Sequence, residues 1–407
     1  MTAPAGTTGT TVTGGIATAR GFRASGISAG IKANKNPDLA LIVSETPATA
    51  VAVFTISKAQ AAPVLVSKEH LAKSGGVVRA VVVNSGCANA CTGEAGMSDA
   101  RAMAAETARL VGCPPEQVLV ASTGVIGVNL PMSKLTTGIP QAFAALASDQ
   151  GPQAARAIMT TDPFPKEASA TVNIGGKTVT IGGMAKGSGM IEPMMATMLG
   201  FVTTDAAVAQ PMLQRALVEV VNDTFNAITV DGECSTNDTV MLLANGQSGA
   251  TVTDAEYAAF VGGLRTVCLE LALGIVRGGE GATKLVTVTV SGAASQADAR
   301  KTAKAIANSL LVKTAIHGGD PNWGRLIAVA GRAGVAFELQ RATVTIGSIV
   351  LFDNGRPYDD RAPEAAEYLQ GKEVAVGVNL GAGSESSTVW TCDLSAEYVK
   401  INAEYRT

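Results

Sequence analysis

Residues 169–182 read SATVNIGGKTVTIG, two alternating segments around a Gly-Gly pair at 175–176. Period-two alternation on both sides of a two-glycine turn predicts a β-hairpin. Outward from it, 38–55 (DLALIVSETPATAVAVFT), 78–84 (VRAVVVN), 117–121 and 284–291 (KLVTVTVS) predict buried strands, rich in β-branched residues and bounded by turn formers. Apolar spacing predicts helices over 99–111, 204–224, 254–276 and 297–313, then a mostly β region to about 393 with one helix near 362–369. Leu213, Leu217 and Val221 fall on one stripe of the second helix, and Pro211 must mark a break or a start within it. Strands and helices interleave but hairpins join many of the strands. The expected fold class is therefore α/β in the broad α+β sense, with mixed sheets layered with helices rather than a doubly wound parallel sheet. The Ser/Gly/Ala stretch 291–297 (SGAASQA) predicts a boundary between a larger α/β domain over 16–290 and a smaller C-terminal α/β domain over 291–407. Residues 1–15 are expected to be a flexible lead.

Composition narrows the function. Of 407 residues, 47% are apolar, 16% charged and 4% aromatic, so the core must be built from Ala, Val, Leu and Ile. Thirty-one Lys and Arg against 34 Asp and Glu leave a net charge of −3, with no electrostatic footprint for nucleic acid or an anionic membrane. The opening MTAPAGTTGTTVTGG has neither a basic region nor an apolar stretch of the signal-peptide kind. No run approaches 18 uninterrupted apolar residues, and no membrane span is expected. The six cysteines are scattered without a CxxC pair, and Cys87-x3-Cys91 lacks a second pair or a histidine nearby. Buried thiols in a reducing cytoplasm are the expectation, with no metal and no cofactor. The two histidines, His70 and His317, leave little room for a Ser-His-Asp arrangement.

Three segments are dense in glycine and small polar residues. Residues 121–127, ASTGVIG, follow the predicted strand at 117–121. A Ser-Thr-Gly turn at a strand end presents a hydroxyl and a backbone N–H side by side, a pair suited to a developing oxyanion and equally to an ordinary turn. Residues 182–201, GGMAKGSGMIEPMMATMLGF, do not satisfy GxxxxGK[ST], because Ala185 precedes Lys186 and Gly187 follows it. Their end offers different chemistry. Cleavage before Thr197 would free an α-amine to act as base for its own hydroxyl, a nucleophile that needs no histidine. Residues 228–241, ITVDGECSTNDTVM, cluster Asp231, Asn237 and Asp238 but fail the EF-hand pattern. A polar turn packed against an active site is the expected role.

Taken together, MTTDPFPK (159–166), the 182–201 block, DGECSTNDTV (231–240), EGATKL (280–285), VKTAIHGGDPNWGR (312–325) and INAEYRT (401–407) form one pattern, with NSGCANACTG (84–93) and STGVIG (122–127). In this pattern the chain resembles the bacterial glutamate N-acetyltransferase/ornithine acetyltransferase family of arginine biosynthesis, in order, from about residue 16 to the C-terminus. The resemblance implies an N-terminal-nucleophile-like sandwich in a catalytic domain over 16–290. It implies a precursor that cleaves itself between Ala196 and Thr197 into an α chain (1–196) and a β chain (197–407), assembled as an α2β2 heterotetramer in the cytoplasm. It further implies ping-pong transfer of acetyl from N2-acetyl-L-ornithine to L-glutamate through acetyl-Thr197, with acetyl-CoA as a donor in some members. Carried over by position, Thr123 and Gly124 are oxyanion donors. Thr160 (or Thr161), Lys186, Thr197, Glu280, Asn402 and Thr407 are substrate contacts. Met194, Cys87, His317 and Ser57 depart from the family pattern.

A zwitterionic amino acid needs a cation for its carboxylate and an anion for its amine, which Lys186 and Glu280 supply. An N-terminal-threonine amidase or aminopeptidase would share the nucleophile and oxyanion donors but pass the acyl group to water. Lys186, Glu280 and the INAEYRT end favour an amino-acid acceptor. A non-enzymatic amino-acid-binding protein would need no free Thr197 amine.

Overall fold

The computed structural model describes residues 9–192 and 198–404. The chain divides into two compact units. The first takes the described residues of Met1–Asn226 and Cys234–Ile275, and the second those of Ala227–Glu233 and Val276–Arg406.

The first unit begins with β1 (Thr10–Val12), β2 (Phe22–Ile27), β3 (Leu39–Phe54), α1 (Ala62–Lys73), β4 (Val77–Cys87), α2 (Gly93–Val111) and β5 (Val118–Val125). It continues with α3 (Met132–Ala144), α4 (Gly151–Ala157), β6 (Lys166–Ile174), β7 (Lys177–Lys186), β8 (Leu199–Thr204), α5 (Gln210–Asp223), β9 (Thr239–Ala244) and α6 (Tyr257–Arg277). The strands run β1-β6-β7-β8-β9-β3-β4-β5, with β2 also paired to β3. The pairs β4–β5 and β8–β9 are parallel. Each is bridged by a helix, α2 and α5, as a parallel connection requires.

Alternation along the strands sets the layers. Leu39, Leu41 and Val43 of β3, Ala80 and Val82 of β4, and Val118 and Val120 of β5 form a core with residues of α1, α2 and α3. The intervening Ala40, Ile42, Val81, Val83, Leu119 and Ala121 point the other way, since successive strand side chains face opposite sides. They share a second core with Met184, Leu199, Phe201, Met241 and Leu243 of β7, β8 and β9. Ala154, Ala155 and Ala157 of α4 join this second core, so both faces of the sheet carry helices: mixed sheet layered with helices, as expected.

The second unit holds β10 (Leu285–Ala293), α7 (Gln296–Ala307), α8 (Leu310–Gly318), α9 (Trp323–Arg332), β11 (Thr343–Ile346), β12 (Ile349–Asp353), β13 (Arg356–Pro357), α10 (Ala362–Tyr368), β14 (Glu373–Asn379), β15 (Glu385–Cys392) and α11 (Ala396–Glu404). Its sheet runs β13-β12-β11-β14-β10-β15. Val286, Val288 and Val290 of β10 pack with Ala299, Ala303 and Ile306 of α7 in its core.

Several expectations are corrected. The predicted 290/291 boundary would cut through β10, an interior strand parallel to β14 and antiparallel to β15, and the division lies instead at 275/276, in the last turn of α6. Residues 10–12 of the predicted lead are a strand paired with β6, while residues 1–8 lie outside the described residues. Residues 204–209 are not helical. β8 ends at Thr204, and α5 starts at Gln210 with Pro211 in its first turn, where the missing N–H has no helical partner to lose. The predicted helix over 297–313 is two helices, divided where the Ser309 side chain accepts from Val312 N and caps α8. α9 interrupts the region expected to be mostly β, and α11 follows it. Finally, α6 is long and apolar enough to cross a membrane by composition, but 72% of that stretch is buried in the protein, so it is a core helix.

Candidate active site

In the first unit the polar residues gather at the carboxyl ends of the parallel strands β4 and β5, over 84–87 and 122–125. Ser122 Oγ donates to Asn84 Oδ1 at 2.6 Å, and Asn84 Nδ2 donates to Cys87 O at 2.9 Å, so the two ends are tied together. Gly124 has φ +128°, and a Cβ there would stand 2.4 Å from Gly86 C and 2.6 Å from Cys87 N. Only glycine lets this turn lie against the backbone of β4. Thr123 stands half-buried beside it. The two residues expected to hold an oxyanion therefore sit on a backbone pressed into one conformation.

Lys186 is the last residue of β7, 8% exposed, and pairs with Leu199, the first residue of β8. Met198 ends the interval before β8, and its carbonyl accepts from Thr239 N at 2.9 Å. Residues Ala196 and Thr197, the expected cleavage site and nucleophile, lie outside the described residues with Met194. Beside Lys186 lies a buried carboxylate that sequence reasoning missed. Asp162 takes Lys166 Nζ at 2.5 Å and Gly187 N at 2.7 Å on Oδ1, and Thr160 N at 2.9 Å on Oδ2. Burial opposes its charge, but Lys166, Lys186 and the Gly187 N–H outweigh it and hold the carboxyl down at about 2. Asp162 thereby joins two expected substrate contacts, Thr160 and Lys186. Thr160 also lines a cavity of about 390 Å³ with Lys32, Arg156 and Phe164, and Thr161 does not. The TTD spacing was in plain view, but nothing local says that its aspartate reaches a lysine four residues on and a glycine 25 residues on.

A pH prediction follows from Asp162. Its folded pKa lies below the ordinary 3.8, so its contribution to stability is complete above about pH 4 and is lost as pH falls toward 2. Thermal midpoints measured from pH 6 to 2 are expected to show this acid limb in the wild type and a flatter one in Asp162→Asn. At neutral pH that variant leaves the Lys166 ammonium, 2% exposed, without its partner and is expected to lose about 3–5 kcal/mol.

In the second unit two expected substrate contacts meet although 122 positions separate them. Asn402 Nδ2, on α11, donates to Glu280 Oε2 at 2.8 Å and to Tyr398 O at 3.0 Å. Glu280 is 7% exposed. Its loop is fitted against α11: Gly281 has φ +69°, and a Cβ there would meet Tyr398 N at 2.5 Å. Asp393 anchors the loop's far side. It accepts from Thr283 N at 2.7 Å and Lys284 N at 2.9 Å on Oδ1, and bonds His317 Nδ1 at 2.6 Å on Oδ2. These donors overcome the burial that opposes its charge and hold its carboxyl below the usual range. Tyr398 OH donates to Asp231 Oδ2 at 3.3 Å. Thr407 lies outside the described residues.

Among the described residues no three His, Cys, Asp or Glu form a cluster fit for an ion. Cys87 is buried with its thiol donating to Val128 O at 3.1 Å, and burial pushes its pKa up, away from the reactive thiolate.

A mixed sheet layered with helices thus holds the buried charged side chains Asp162, Lys166 and Lys186 at or beside its strand ends, groups suited to an enzyme acting on a small polar substrate. The family model described as "ArgJ family" matches residues 23–407. The chain belongs to that family, which bears out the resemblance carried by its motifs. It is 50% identical over 408 residues to the arginine biosynthesis bifunctional protein ArgJ of Synechococcus, covering 97% of this chain and 98% of the relative. It is 46% identical over 399 residues to the Bacillus subtilis protein of the same name, covering 97% of each. Among solved structures, an ornithine acetyltransferase of Mycobacterium tuberculosis complexed with ornithine is 42% identical over 45% of this chain and 97% of that chain, with a TM-score of 0.42.

Proposed function

We propose that this protein transfers the acetyl group of N2-acetyl-L-ornithine to L-glutamate, giving L-ornithine and N-acetyl-L-glutamate in arginine biosynthesis. Membership of the ArgJ family along nearly the whole chain carries this reading. In the maturation step Thr197 Oγ attacks the Ala196 carbonyl, the peptide C–N bond breaks to an ester, and water hydrolyses the ester to free the Thr197 α-amine. In transfer that amine takes the hydroxyl proton while Oγ attacks the acetyl carbon. The oxyanion forms against Thr123 and Gly124. The proton passes to the departing ornithine amine as its C–N bond breaks, leaving acetyl-Thr197. The glutamate α-amine then attacks the ester and the steps reverse.

By the family pattern we assign Lys186 to the substrate carboxylate and Glu280 to its amine, with Thr160, Asn402 and Thr407 as further substrate contacts. The relatives' designation as bifunctional supports acetyl-CoA as a second donor to glutamate. We assign the chain to the cytoplasm as an α2β2 assembly of its cleaved parts.

Assaying glutamate acetylation with N-acetylornithine and acetyl-CoA in parallel tests the reading. Transfer from N-acetylornithine with parallel double-reciprocal lines is expected. Release of acetyl to water alone would contradict it. Asn402→Ala is expected to leave cleavage intact, because Asn402 bonds Glu280 and supplies no group to the N–O shift. Loss of one hydrogen bond to a charged group corresponds to about 10–100-fold, expected in the KM for glutamate rather than in the cleavage rate.

A further inference from the structure

The polar turn before β9 does more than pack. Asn237 is 6% exposed. Its side-chain amide donates both hydrogens to backbone carbonyls: to Ala88 O at 2.6 Å and to Ser122 O at 2.9 Å. Its Oδ1 accepts from Thr236 Oγ1 at 2.6 Å. This fixes which way the amide faces, since the flipped form would set an oxygen against two carbonyls. Ser122 O belongs to the peptide whose nitrogen is that of Thr123. Ala88 follows directly on the end of β4. Two residues beyond Asn237, Thr239 begins β9 and donates its N–H to Met198 O, next to Thr197. One side chain therefore links the Ser-Thr-Gly turn and the end of β4 to the strand that flanks the nucleophile's neighbour.

We infer that Asn237 is a positioning residue, holding the Thr123–Gly124 turn in register with the chain that leads from Thr197 into β8. The inference rests on the oxyanion role of Thr123 and Gly124 proposed above. Fixing the Ser122–Thr123 peptide plane through its carbonyl fixes where the chain leaves it at Thr123, and with it the Thr123 hydroxyl and the Gly124 N–H, because the bond is planar and trans. Without the Asn237 amide, Ser122 O and Ala88 O lose a buried donor each, and this end of β5 is left to its pairing with β4. A displacement of about 1 Å costs on the order of 10²-fold in rate, and such a loss falls on turnover rather than on ground-state binding.

The test is a double-mutant cycle on the cleaved enzyme, with kcat counted per free Thr197 amine. Asn237→Ala is expected to lower kcat about 10–100-fold, with the KM for N-acetylornithine and for glutamate changed less than about twofold. Combined with Thr123→Ala, it is expected to cost less than it does in the wild type, because only the Gly124 donor is left to position. Full additivity of the two losses in kcat would overturn the inference while leaving the oxyanion reading standing. No loss of kcat in Thr123→Ala would instead sink the oxyanion reading, and the inference with it. Thr236→Val, which removes only the hydroxyl that orients the amide, carries the same test if Asn237→Ala does not fold. A severalfold loss confined to kcat supports the inference, and unchanged kcat opposes it.

Discussion

Thr197→Ala is expected to leave one intact chain of 41.1 kDa on a denaturing gel and no measurable acetyl transfer. Both losses have one cause. The N–O acyl shift needs the hydroxyl to attack the Ala196 carbonyl, and transfer needs the same hydroxyl to carry the acetyl group. No histidine stands in reserve. Of the two in the chain, the His70 ring is buried against Val118 O at 2.7 Å, and His317 is engaged by Asp393. Thr197→Ser retains a hydroxyl and is expected to cleave, more slowly. Two bands in Thr197→Ala would place the nucleophile elsewhere.

Thr123→Ala is expected to lower kcat by about 10²–10³-fold, the usual loss for one oxyanion donor. The KM for N-acetylornithine should move far less, because the donor acts on charge that develops only in the transition state. Steady-state kinetics on the cleaved variant measure this. A large rise in KM with kcat intact would make Thr123 a binding residue. Gly124→Ala is expected to be at least as damaging, for a steric reason. Its Cβ would fall 2.4 Å from Gly86 C, so the turn must leave the edge of β4 to admit it, and a drop in thermal midpoint should accompany the drop in rate.

What the sequence made legible was local. The hairpin over 169–182 is β6 turning into β7 at Gly175 and Gly176, because alternation and a two-glycine turn are both written in adjacent residues. The long strand over 38–55 is β3 for the same reason. Apolar spacing failed at 204–209, where a buried strand and a helix start give the same short apolar run. The STG turn was recognisable as chemistry and stands at a strand end, whereas the obligatory glycine at 124 depends on β4 lying against it. Contacts set by the fold alone were out of reach. Asn237 bonds partners 115 and 149 positions away, and Asp162 draws Lys166, Thr160 and Gly187 around one buried charge. No spacing encodes either. The pairing of Asn402 with Glu280 was foreshadowed only by resemblance, which named both residues without saying that they touch.

The central claim is a covalent acetyl group on Thr197, and intact-mass spectrometry after adding N-acetylornithine without glutamate tests it most directly. The account predicts one added acetyl group on the chain that begins with Thr197, removed when glutamate is supplied and absent in Thr123→Ala at early times. An unmodified chain in an enzyme that still transfers acetyl when both substrates are present would contradict it and point to direct transfer between bound substrates.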